Sequence, residues 1–325
     1  MKPRVFITKP IPKKVENYIA HFCEYKIWNS MNSIPKETLI KEIRHVDGLM
    51  NSNYKISKEI LEAAPFLKII SNISVGYDSF DIKEMLRRKI MGTNTPKVLE
   101  ESVADLTIGL ILSISRRIPE LNNMIKKGEW DKPSDFYLGI DVHQSTLGII
   151  GMGRIGEEIA KRATLGFEMD VLYYNRSRKI DVEKKYSVTY TKLDKLLEKS
   201  DFVLIMLPLT KQTYKYIGAK QFKKMKKSAF LINCSRGEVI NEQELINALL
   251  TNEIAGSALD VYEQEPISKR NPLLKMDNVV MTPHIGSATK NTRYNMAMKA
   301  AKNLVSGLMG EKPYDIVPEL KQLIN

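Results

Sequence analysis

The chain has 325 residues, of which 43% are hydrophobic and 27% charged, so it is long enough to form two domains with separate cores. No stretch has the length and apolarity of a membrane span, the first residues lead directly into a predicted strand, and only two cysteines occur. We therefore expect no membrane partner, no disulfide framework and a cytoplasmic location.

A net charge of +12 is a feature that nucleic-acid-binding proteins also have. Here, however, the lysines are spread over predicted helical faces and alternate with acidic residues, and the densest cluster, at residues 220–227, is typical of a solvated helix. We expect no nucleic acid partner. The positive field would instead attract a small anionic substrate and cofactor.

Short apolar strands alternate with amphipathic helices along almost the whole chain, which predicts parallel sheets covered by helices, an α/β fold. In the first part, we predict strands at 5–8, 25–28, 48–50 and 68–71 and helices at 13–21, 35–44 and 57–63. Pro96 restricts the residue before it to extended conformations, so this unit should end in a hinge near Thr95.

A strongly apolar helix begins at Leu99, and its composition predicts burial between domains or in a subunit interface. A polar stretch follows at 126–144. Further strands are predicted at 146–150, 169–174, 202–206, 229–233, 255–259 and 279–281. The last forty residues return to a helical pattern and should cross back onto the first domain, which would leave the ligand cleft between the two domains.

The motif GMGRIG at 151–156 follows a predicted strand and opens a helix, and a second strand completes a βαβ unit. Gly151 allows the tight turn, Gly153 lets the main chain approach a pyrophosphate, and Gly156 lets the helix lie close to the sheet. This context favours a dinucleotide site over a simple tight turn. We expect a Rossmann dinucleotide-binding domain, residues 99–287, inserted into a doubly wound, flavodoxin-like substrate domain, residues 1–98 and 288–325.

The residues after the second strand of this unit bear on the choice of cofactor. An NAD-binding fold usually has an acidic residue there for the ribose 2′-hydroxyl. This chain has Asn175, Arg176, Ser177 and Arg178 instead. An acid would repel a 2′-phosphate and this set would bind one, so we expect NADP (NADPH) as the cofactor, with NAD as the alternative.

Three potentially reactive side chains each follow a predicted strand. Arg236 alone is equally consistent with a structural salt bridge and with bidentate binding of a carboxylate. Glu265 precedes His284 by nineteen residues, and a carboxylate beside an imidazole stabilises its protonated form and fixes its tautomer. Together they would form a carbonyl-reducing set of proton donor, supporting acid and carboxylate anchor.

The chain resembles the D-isomer-specific 2-hydroxyacid dehydrogenase family over nearly its whole length. The motifs that carry the resemblance are SVGYDSFD (74–81), ESVADLTIGLIL (101–112), GIIGMGRIG (148–156), DFVLIMLPLT (201–210), INCSRGEVIN (232–241), ALDVYEQEP (258–266) and PHIGSAT (283–289). Within the family, SVGYD, PHIGSAT and the compact length are most similar to the glyoxylate/hydroxypyruvate reductases, the branch that includes 2-ketogluconate reductases. The resemblance implies NAD(P)H-dependent reduction of small 2-keto acids to D-2-hydroxy acids.

The resemblance also implies roles for single residues. Arg236 would bind and polarise the 2-keto acid, His284 would protonate the keto oxygen, and Glu265 would support His284. The amides of Val75 and Gly76 would hold the substrate carboxylate. The residues expected to contact the cofactor are Thr107, Gly151, Gly153, Arg154, Ile155, Gly156, Asn175, Arg176, Ser177, Pro208, Thr213, Cys234, Asp260 and Gly286. No metal is expected, and the family implies a homodimer joined through the dinucleotide domains.

Alternatives remain open at this point. Cys234 stands where the family is associated with a small residue, which favours a packed apolar group over a nucleophile. A corepressor-like, nucleotide-sensing interaction protein on the same scaffold would keep the same site residues. A phosphoglycerate dehydrogenase with a regulatory extension is disfavoured by length, and a formate dehydrogenase by Glu265. The physiological 2-keto acid is left undecided.

Overall fold

The computed structural model describes residues 1–52 and 54–324 and divides the chain into two compact units. The first unit comprises Met1–Leu99 and Ala288–Asn325, and the second comprises Glu100–Ser287. The first boundary lies one residue after the one expected from the sequence. Each unit is built on a parallel sheet of its own.

The first unit opens with alternating strands and helices: β1 (Arg4–Ile7), α1 (Lys13–Phe22), β2 (Glu24–Ile27), α2 (Lys36–Ile43), β3 (Gly48–Asn51), α3 (Lys58–Glu62), β4 (Ile69–Asn72), α4 (Ile82–Arg87) and β5 (Met91–Thr93). Among its described residues, the strands form a five-stranded parallel sheet in the order β2-β1-β3-β4-β5. All residues of β3 and β4 are buried, the polar Asn51, Ser71 and Asn72 included. The predictions missed α4 and β5.

The second unit contains α5 (Glu100–Ser115), α6 (Ile118–Lys126), β6 (Thr146–Ile150), α7 (Arg154–Phe167), β7 (Asp170–Tyr174), α8 (Ile180–Tyr186), β8 (Thr189–Tyr190), α9 (Leu193–Lys199), β9 (Phe202–Ile205), α10 (Ala219–Phe222), β10 (Phe230–Asn233), α11 (Glu242–Leu250), β11 (Gly256–Leu259) and β12 (Val279–Met281). Its described strands form a seven-stranded parallel sheet in the order β12-β11-β10-β9-β6-β7-β8. The order runs outward from β6 in both directions, so the second unit is doubly wound.

Helix α5 lies inside the second unit, packed against α7 and against β10, β11 and β12. Its apolar residues Ala104, Ile111 and Ile114 are part of the same core as the strand residues Leu147 and Ile149. This packing inside the unit accounts for the apolar composition of α5, and its burial between domains or in a subunit interface stays a prediction.

The last helix, α12 (Lys290–Leu308), belongs to the first unit and packs on β3, β4, β5 and α1. The Thr289 side chain caps it by accepting a hydrogen bond from the Thr292 amide at 3.1 Å. Beyond α12 the helical prediction is only partly correct. The chain there is irregular, pairs Ile316 with Thr93 in an isolated bridge, and ends in a 3₁₀ turn at Pro318–Ile324.

The lysine-rich segment at 220–227 differs from the predicted solvated helix, because α10 ends at Phe222. Lys224 pairs with Asp194, and Lys226 pairs with Asp201 at 2.8 Å, so part of this charge is engaged locally. Within the part of the chain that the structure describes, no helix combines the length and apolarity that crossing a bilayer requires.

Candidate functional site

The candidate site lies at the carboxyl edge of the seven-stranded sheet. Because all these strands are parallel, the loops that follow them open on the same edge. In order along that edge come His284 after β12, Asp260 and Glu265 after β11, Arg236 after β10, Pro208 and Thr213 after β9, Gly151–Gly156 after β6 and Asn175–Ser177 after β7. Val75 and Gly76 follow β4 in the first unit.

The glycine loop after β6 is shaped for a phosphate group. Gly151 has φ +108°, and a Cβ there would lie 2.4 Å from the Met206 carbonyl oxygen. A Cβ at Gly153 would meet no heavy atom within 4 Å, so the main chain is open to an approaching group. Helix α7 begins at the next residue and directs its N-terminus toward this space. The loop therefore fits a dinucleotide pyrophosphate.

Three further residues fix the start of α7. A Cβ at Gly156 would lie 2.7 Å from the Gly151 carbonyl oxygen, so only glycine allows this close approach. The guanidinium of Arg154 pairs with the buried Glu100 carboxylate at 2.9 Å. Ile155 packs against the core of the unit. The loop is thus held by both backbone contacts and an ion pair.

The loop after β7 presents charged side chains to solvent. Arg176 and Ser177 are exposed, and the Asn175 side chain donates to the Ser177 carbonyl at 3.1 Å. Arg178 is different, because its guanidinium pairs with Glu183 at 2.7 Å. Glu183 also accepts a hydrogen bond from Tyr173 at 2.6 Å, so the exposed Arg178 is tied to a carboxylate that a strand residue holds in place.

Pro208, Thr213, Thr107 and Cys234 form two local contacts. The Thr213 hydroxyl donates to the Pro208 carbonyl at 2.6 Å and closes the turn after β9. Thr107 on α5 is buried and lies beside the Cys234 side chain. Burial raises the pKa of the Cys234 thiol to about 12, against which the Thr107 hydrogen bond is the smaller effect. A thiol that stays protonated at neutral pH is not a nucleophile.

Glu265 and His284 are brought into contact. Nδ1 of His284 lies 2.7 Å from Oε2 of Glu265, and Oε1 of Glu265 accepts a hydrogen bond from the Tyr262 amide at 3.1 Å. Burial raises the pKa of Glu265, but the hydrogen bond and charge of His284 outweigh it and leave that pKa below its ordinary value. The ionised carboxylate only accepts, so Nδ1 carries a proton and Nε2 is the ring atom left for chemistry.

Asp260 holds the loop that carries His284. Its Oδ1 accepts hydrogen bonds from the Thr282 hydroxyl at 2.6 Å and the Ile285 amide at 2.8 Å, and its Oδ2 accepts from the Gly286 amide at 2.9 Å. Asp260 is only 1% exposed. These bonds surround His284, whose backbone has a left-handed φ of +55°. Asp260 and Gly286, both expected at the cofactor, are thus also bonded to each other.

Arg236 is half-buried at the end of β10. The side-chain amide of the buried Asn233 donates to the Arg236 backbone carbonyl at 2.9 Å. Nη1 of the Arg236 guanidinium donates to the Ser235 carbonyl at 2.8 Å. The Ser235 amide in turn donates to Asn233 Oδ1 at 3.0 Å. The turn is therefore closed by Asn233, and the guanidinium is anchored on one side.

The loop after β4 in the first unit is held through its carbonyl groups. Asn94 donates to the Val75 carbonyl at 2.7 Å, and the buried Asn72 donates to the Gly76 carbonyl at 2.9 Å. In a trans peptide the N–H points opposite to the C=O, so these bonds turn the following amides, Gly76 and Tyr77, away from the donors. Tyr77 is an addition to the predicted pair of Val75 and Gly76.

Sequence reasoning missed the residues that hold the loops. Asn72 and Asn233 each end a buried strand, and an asparagine there, where an apolar residue would pack, is a readable signal of a hydrogen-bonded turn. Tyr262 and Thr282 gave no such signal. No group of three or more His, Cys, Asp or Glu suited to a metal occurs within residues 1–52 and 54–324.

The doubly wound sheet, the glycine loop and the His–Glu pair define a dinucleotide-dependent oxidoreductase. Residues 108–286 match the family model described as "D-isomer specific 2-hydroxyacid dehydrogenase, NAD binding domain". The chain belongs to the D-isomer-specific 2-hydroxyacid dehydrogenase family.

Relatives of known name match over almost the whole chain. A glyoxylate reductase from Pyrococcus horikoshii is 44% identical over 98% of this chain and 96% of its own length. Glyoxylate/hydroxypyruvate reductase B from Escherichia coli is 45% identical over 96% of each chain. The crystal structure of an NADPH-dependent glyoxylate/hydroxypyruvate reductase from Sinorhizobium meliloti, in complex with NADP and malonate, matches with a TM-score of 0.86, 30% identity and 98% coverage of both chains.

Proposed function

We propose that this protein reduces glyoxylate and hydroxypyruvate, and by extension 2-ketogluconate, to D-2-hydroxy acids with NADPH. The observation that carries the proposal is the His284–Glu265 contact of 2.7 Å on the same sheet edge as Arg236 and the glycine loop. The names of the Pyrococcus, Escherichia and Sinorhizobium relatives support the substrate class.

The residues divide the chemistry among them. A bound nicotinamide dinucleotide supplies the hydride for the keto carbon. The Arg236 guanidinium binds the keto acid and polarises its carbonyl. His284 gives the Nε2 proton to the keto oxygen, and Glu265 holds the other ring nitrogen and stabilises the imidazolium before transfer. The amides of Val75 and Gly76 bind the substrate carboxylate, and Tyr77 adds a third donor.

The residues proposed to bind the cofactor are grouped by the part of the cofactor they would contact. The glycine loop Gly151–Gly156 would hold the pyrophosphate and Arg176 with Ser177 the 2′-phosphate. The other predicted contacts, Thr107, Asn175, Pro208, Thr213, Cys234, Asp260 and Gly286, would line the remainder. Residues 100–287 would then be the dinucleotide-binding domain, and the first unit the substrate domain.

The test is the loss of nicotinamide absorbance with a panel of 2-keto acids at low concentration, compared by kcat/KM for NADPH and NADH. We expect glyoxylate or hydroxypyruvate to give the highest value. Binding of NADPH without turnover of any 2-keto acid would overturn the proposal and favour the corepressor-like alternative, which receives no support from the relatives described above.

We also infer a homodimer. Helix α6 has no buried residue, and a run of large apolar side chains in and after it is exposed: Ile118, Ile125, Trp130, Phe136, Leu138 and Ile140. Such a concentration of exposed apolar surface is typical of a protein interface, and a second copy of the chain is the partner that the family implies. Light scattering should give twice the chain mass of 37.2 kDa, and Trp130→Lys with Leu138→Lys should shift it to the monomer. A monomeric wild type would contradict the inference.

A reducing, cytoplasmic location is inferred as well. Cys23 and Cys234 are both free thiols, and burial raises the pKa of Cys23 to about 11. Neither cysteine therefore contributes to a disulfide in this chain. Cell fractionation with an antibody against the protein checks this location.

A further inference from the structure

Tyr262, in the loop after β11, is a buried side chain with an unusual set of contacts. It is 7% exposed, and the single proton of its hydroxyl is shared between the carbonyl oxygens of Thr282, at 2.9 Å, and Leu259, at 3.1 Å. The Leu259 carbonyl has another donor, the Thr282 amide at 2.9 Å, which continues the pairing of β11 with β12. The shorter of the two hydroxyl contacts is the one to the Thr282 carbonyl.

The Thr282 carbonyl leads directly to His284. It also accepts the His284 backbone N–H at 3.1 Å, within a turn where His284 has its left-handed φ of +55°. A chain of hydrogen bonds thus runs from the Tyr262 hydroxyl through one carbonyl to the His284 backbone. Because the Tyr262 ring is packed, it fixes the position of this carbonyl and of the backbone that carries the imidazole.

The backbone of Tyr262 contacts Glu265 and the segment that follows Arg236. Its N–H donates to Glu265 Oε1 at 3.1 Å, which orients the carboxylate whose other oxygen contacts His284. A Cβ at Gly237 would lie only 1.9 Å from the Tyr262 carbonyl carbon, so the segment after Arg236 lies directly against Tyr262. One residue therefore touches the segments that carry Arg236, Glu265 and His284.

We propose that Tyr262 is a positioning residue that sets the geometry of the His284–Glu265 pair through its hydroxyl and its backbone amide. The proposal rests on the proposed function of that pair in proton transfer. Burial raises the pKa of the Tyr262 hydroxyl, so it remains a donor throughout the working pH range. Loss of this donor leaves the ring packing intact but removes the hydrogen bond that ties the Thr282 carbonyl to the buried ring, so that this carbonyl keeps the His284 N–H as its donor.

The test is Tyr262→Phe, with Tyr186→Phe as the matched control. Tyr186 is equally buried, at 7% exposed, but lies on α8 away from these loops. In Tyr262→Phe we expect kcat for keto acid reduction to fall roughly 2- to 12-fold, the effect of one neutral hydrogen bond, with an unchanged KM for NADPH. The alkaline limb of the pH profile should move to lower pH by up to about one unit. Wild-type kcat and pH profile in Tyr262→Phe would overturn the proposal.

A second measurement does not depend on activity. The chain has four histidines, so selective ¹⁵N-histidine labelling gives few resonances, and His284→Ala assigns the one of interest. In Tyr262→Phe the His284 ring should take up its proton at lower pH than in wild type, and in Tyr186→Phe at the same pH. If wild type reduces no keto acid but this difference is seen, the proposed function fails and the positioning role stands. An unchanged titration overturns the positioning role alone.

The wild-type labelled protein also covers the case in which Tyr262→Phe does not fold. The shared Thr282 carbonyl predicts slow hydrogen exchange at the His284 backbone amide, because this amide is hydrogen-bonded in a loop fixed by a buried ring. Exchange at the rate of an unstructured loop would overturn the proposal.

Discussion

All these loops lie at the carboxyl edge of the seven-stranded sheet, but those on the β12 side and those on the β7 side are held in different ways. After β10, β11 and β12, side chains bind one another and the neighbouring backbones: Asp260 accepts three hydrogen bonds, and Glu265 joins Tyr262 to His284. After β6, the backbone shapes the phosphate loop. After β7, the side chains that would contact the ribose 2′-phosphate are exposed.

The difference matches two tasks: proton transfer by the loops after β10 to β12, and discrimination between cofactors by the loop after β7. Proton transfer needs donor and acceptor within hydrogen-bond distance, so the atoms that perform it are held by several bonds each. Discrimination between two cofactors needs only a favourable charge near one phosphate, which an exposed arginine supplies in a screened environment. We therefore expect large losses from substitutions after β10 to β12 and graded changes from substitutions after β7.

The largest effect is expected at His284. His284→Ala removes the proton donor, so kcat for reduction should fall by about 10² to 10⁴ while NADPH still binds. Steady-state kinetics, with fluorescence titration of NADPH as the control for binding, checks this. Turnover at the wild-type rate would show that another group donates the proton. It would also contradict the expectation that the loops after β10 to β12 are more sensitive to substitution than the loop after β7.

Arg236 should give the next largest effect. Arg236→Ala removes charge-assisted hydrogen bonds to the substrate, each worth about 1.5 to 3 kcal/mol, so kcat/KM should fall roughly 10- to 150-fold with a raised KM for the keto acid. Arg236→Lys keeps the charge but loses the planar fork and should recover part of the loss. If KM for the keto acid is unchanged in Arg236→Ala, the guanidinium is structural, as the salt-bridge interpretation of the sequence allowed.

The pH profile tests the link between Glu265 and His284. The pKa of Glu265 is lowered by the hydrogen bond and charge of His284, so the carboxylate is ionised from acid pH upward. The coupling is reciprocal: an ionised Glu265 stabilises protonated His284, the form that reduction requires. Because reduction uses the protonated ring and oxidation the neutral ring, reduction should weaken and oxidation of the hydroxy acid improve as pH rises.

Glu265→Gln keeps the shape and removes the charge. The alkaline limb for reduction should move to lower pH, by about one unit if the lost interaction is about 1.4 kcal/mol. Glu263→Gln is the matched control, because Glu263 pairs with Lys215 at 2.7 Å rather than with His284. A limb that moves in the control and not in Glu265→Gln would assign the tuning to Glu263.

The sequence allowed the sheet edge to be predicted, because Arg236, Glu265 and His284 each follow an apolar run that forms a strand. It did not allow the contact between Glu265 and His284 to be derived, since the contact depends on β11 and β12 being neighbours. Tyr262 was not identified because an aromatic residue among apolar ones indicates core packing, and nothing in that pattern reveals where its hydroxyl points.

The missed secondary structure has a similar cause. Strand β5 has three residues with a glycine at its centre, so it carries almost no strand signal. Helix α6 has no buried residue, because its apolar side chains, Ile118 and Ile125 among them, are exposed, so it does not pack on the core as the predicted helices do. The alternation of longer buried strands and helices was readable because each had to bury a continuous apolar surface.

The smallest effect is expected in the ribose loop, where the comparison is sharpest. Arg176 and Arg178 are two residues apart, carry the same charge and are both exposed, but the guanidinium of Arg178 is bonded to Glu183. Arg176→Ala should reduce the preference for NADPH over NADH about three- to tenfold, because exposure screens the interaction with a 2′-phosphate. Arg178→Ala should change the preference less, since its charge is already balanced by Glu183.

The ratio of kcat/KM values for the two cofactors measures both effects, and added salt should weaken the wild-type preference. Equal kcat/KM for NADPH and NADH in wild type would contradict the assignment, and a larger effect at Arg178 than at Arg176 would mean that the Glu183 pair opens when the cofactor binds.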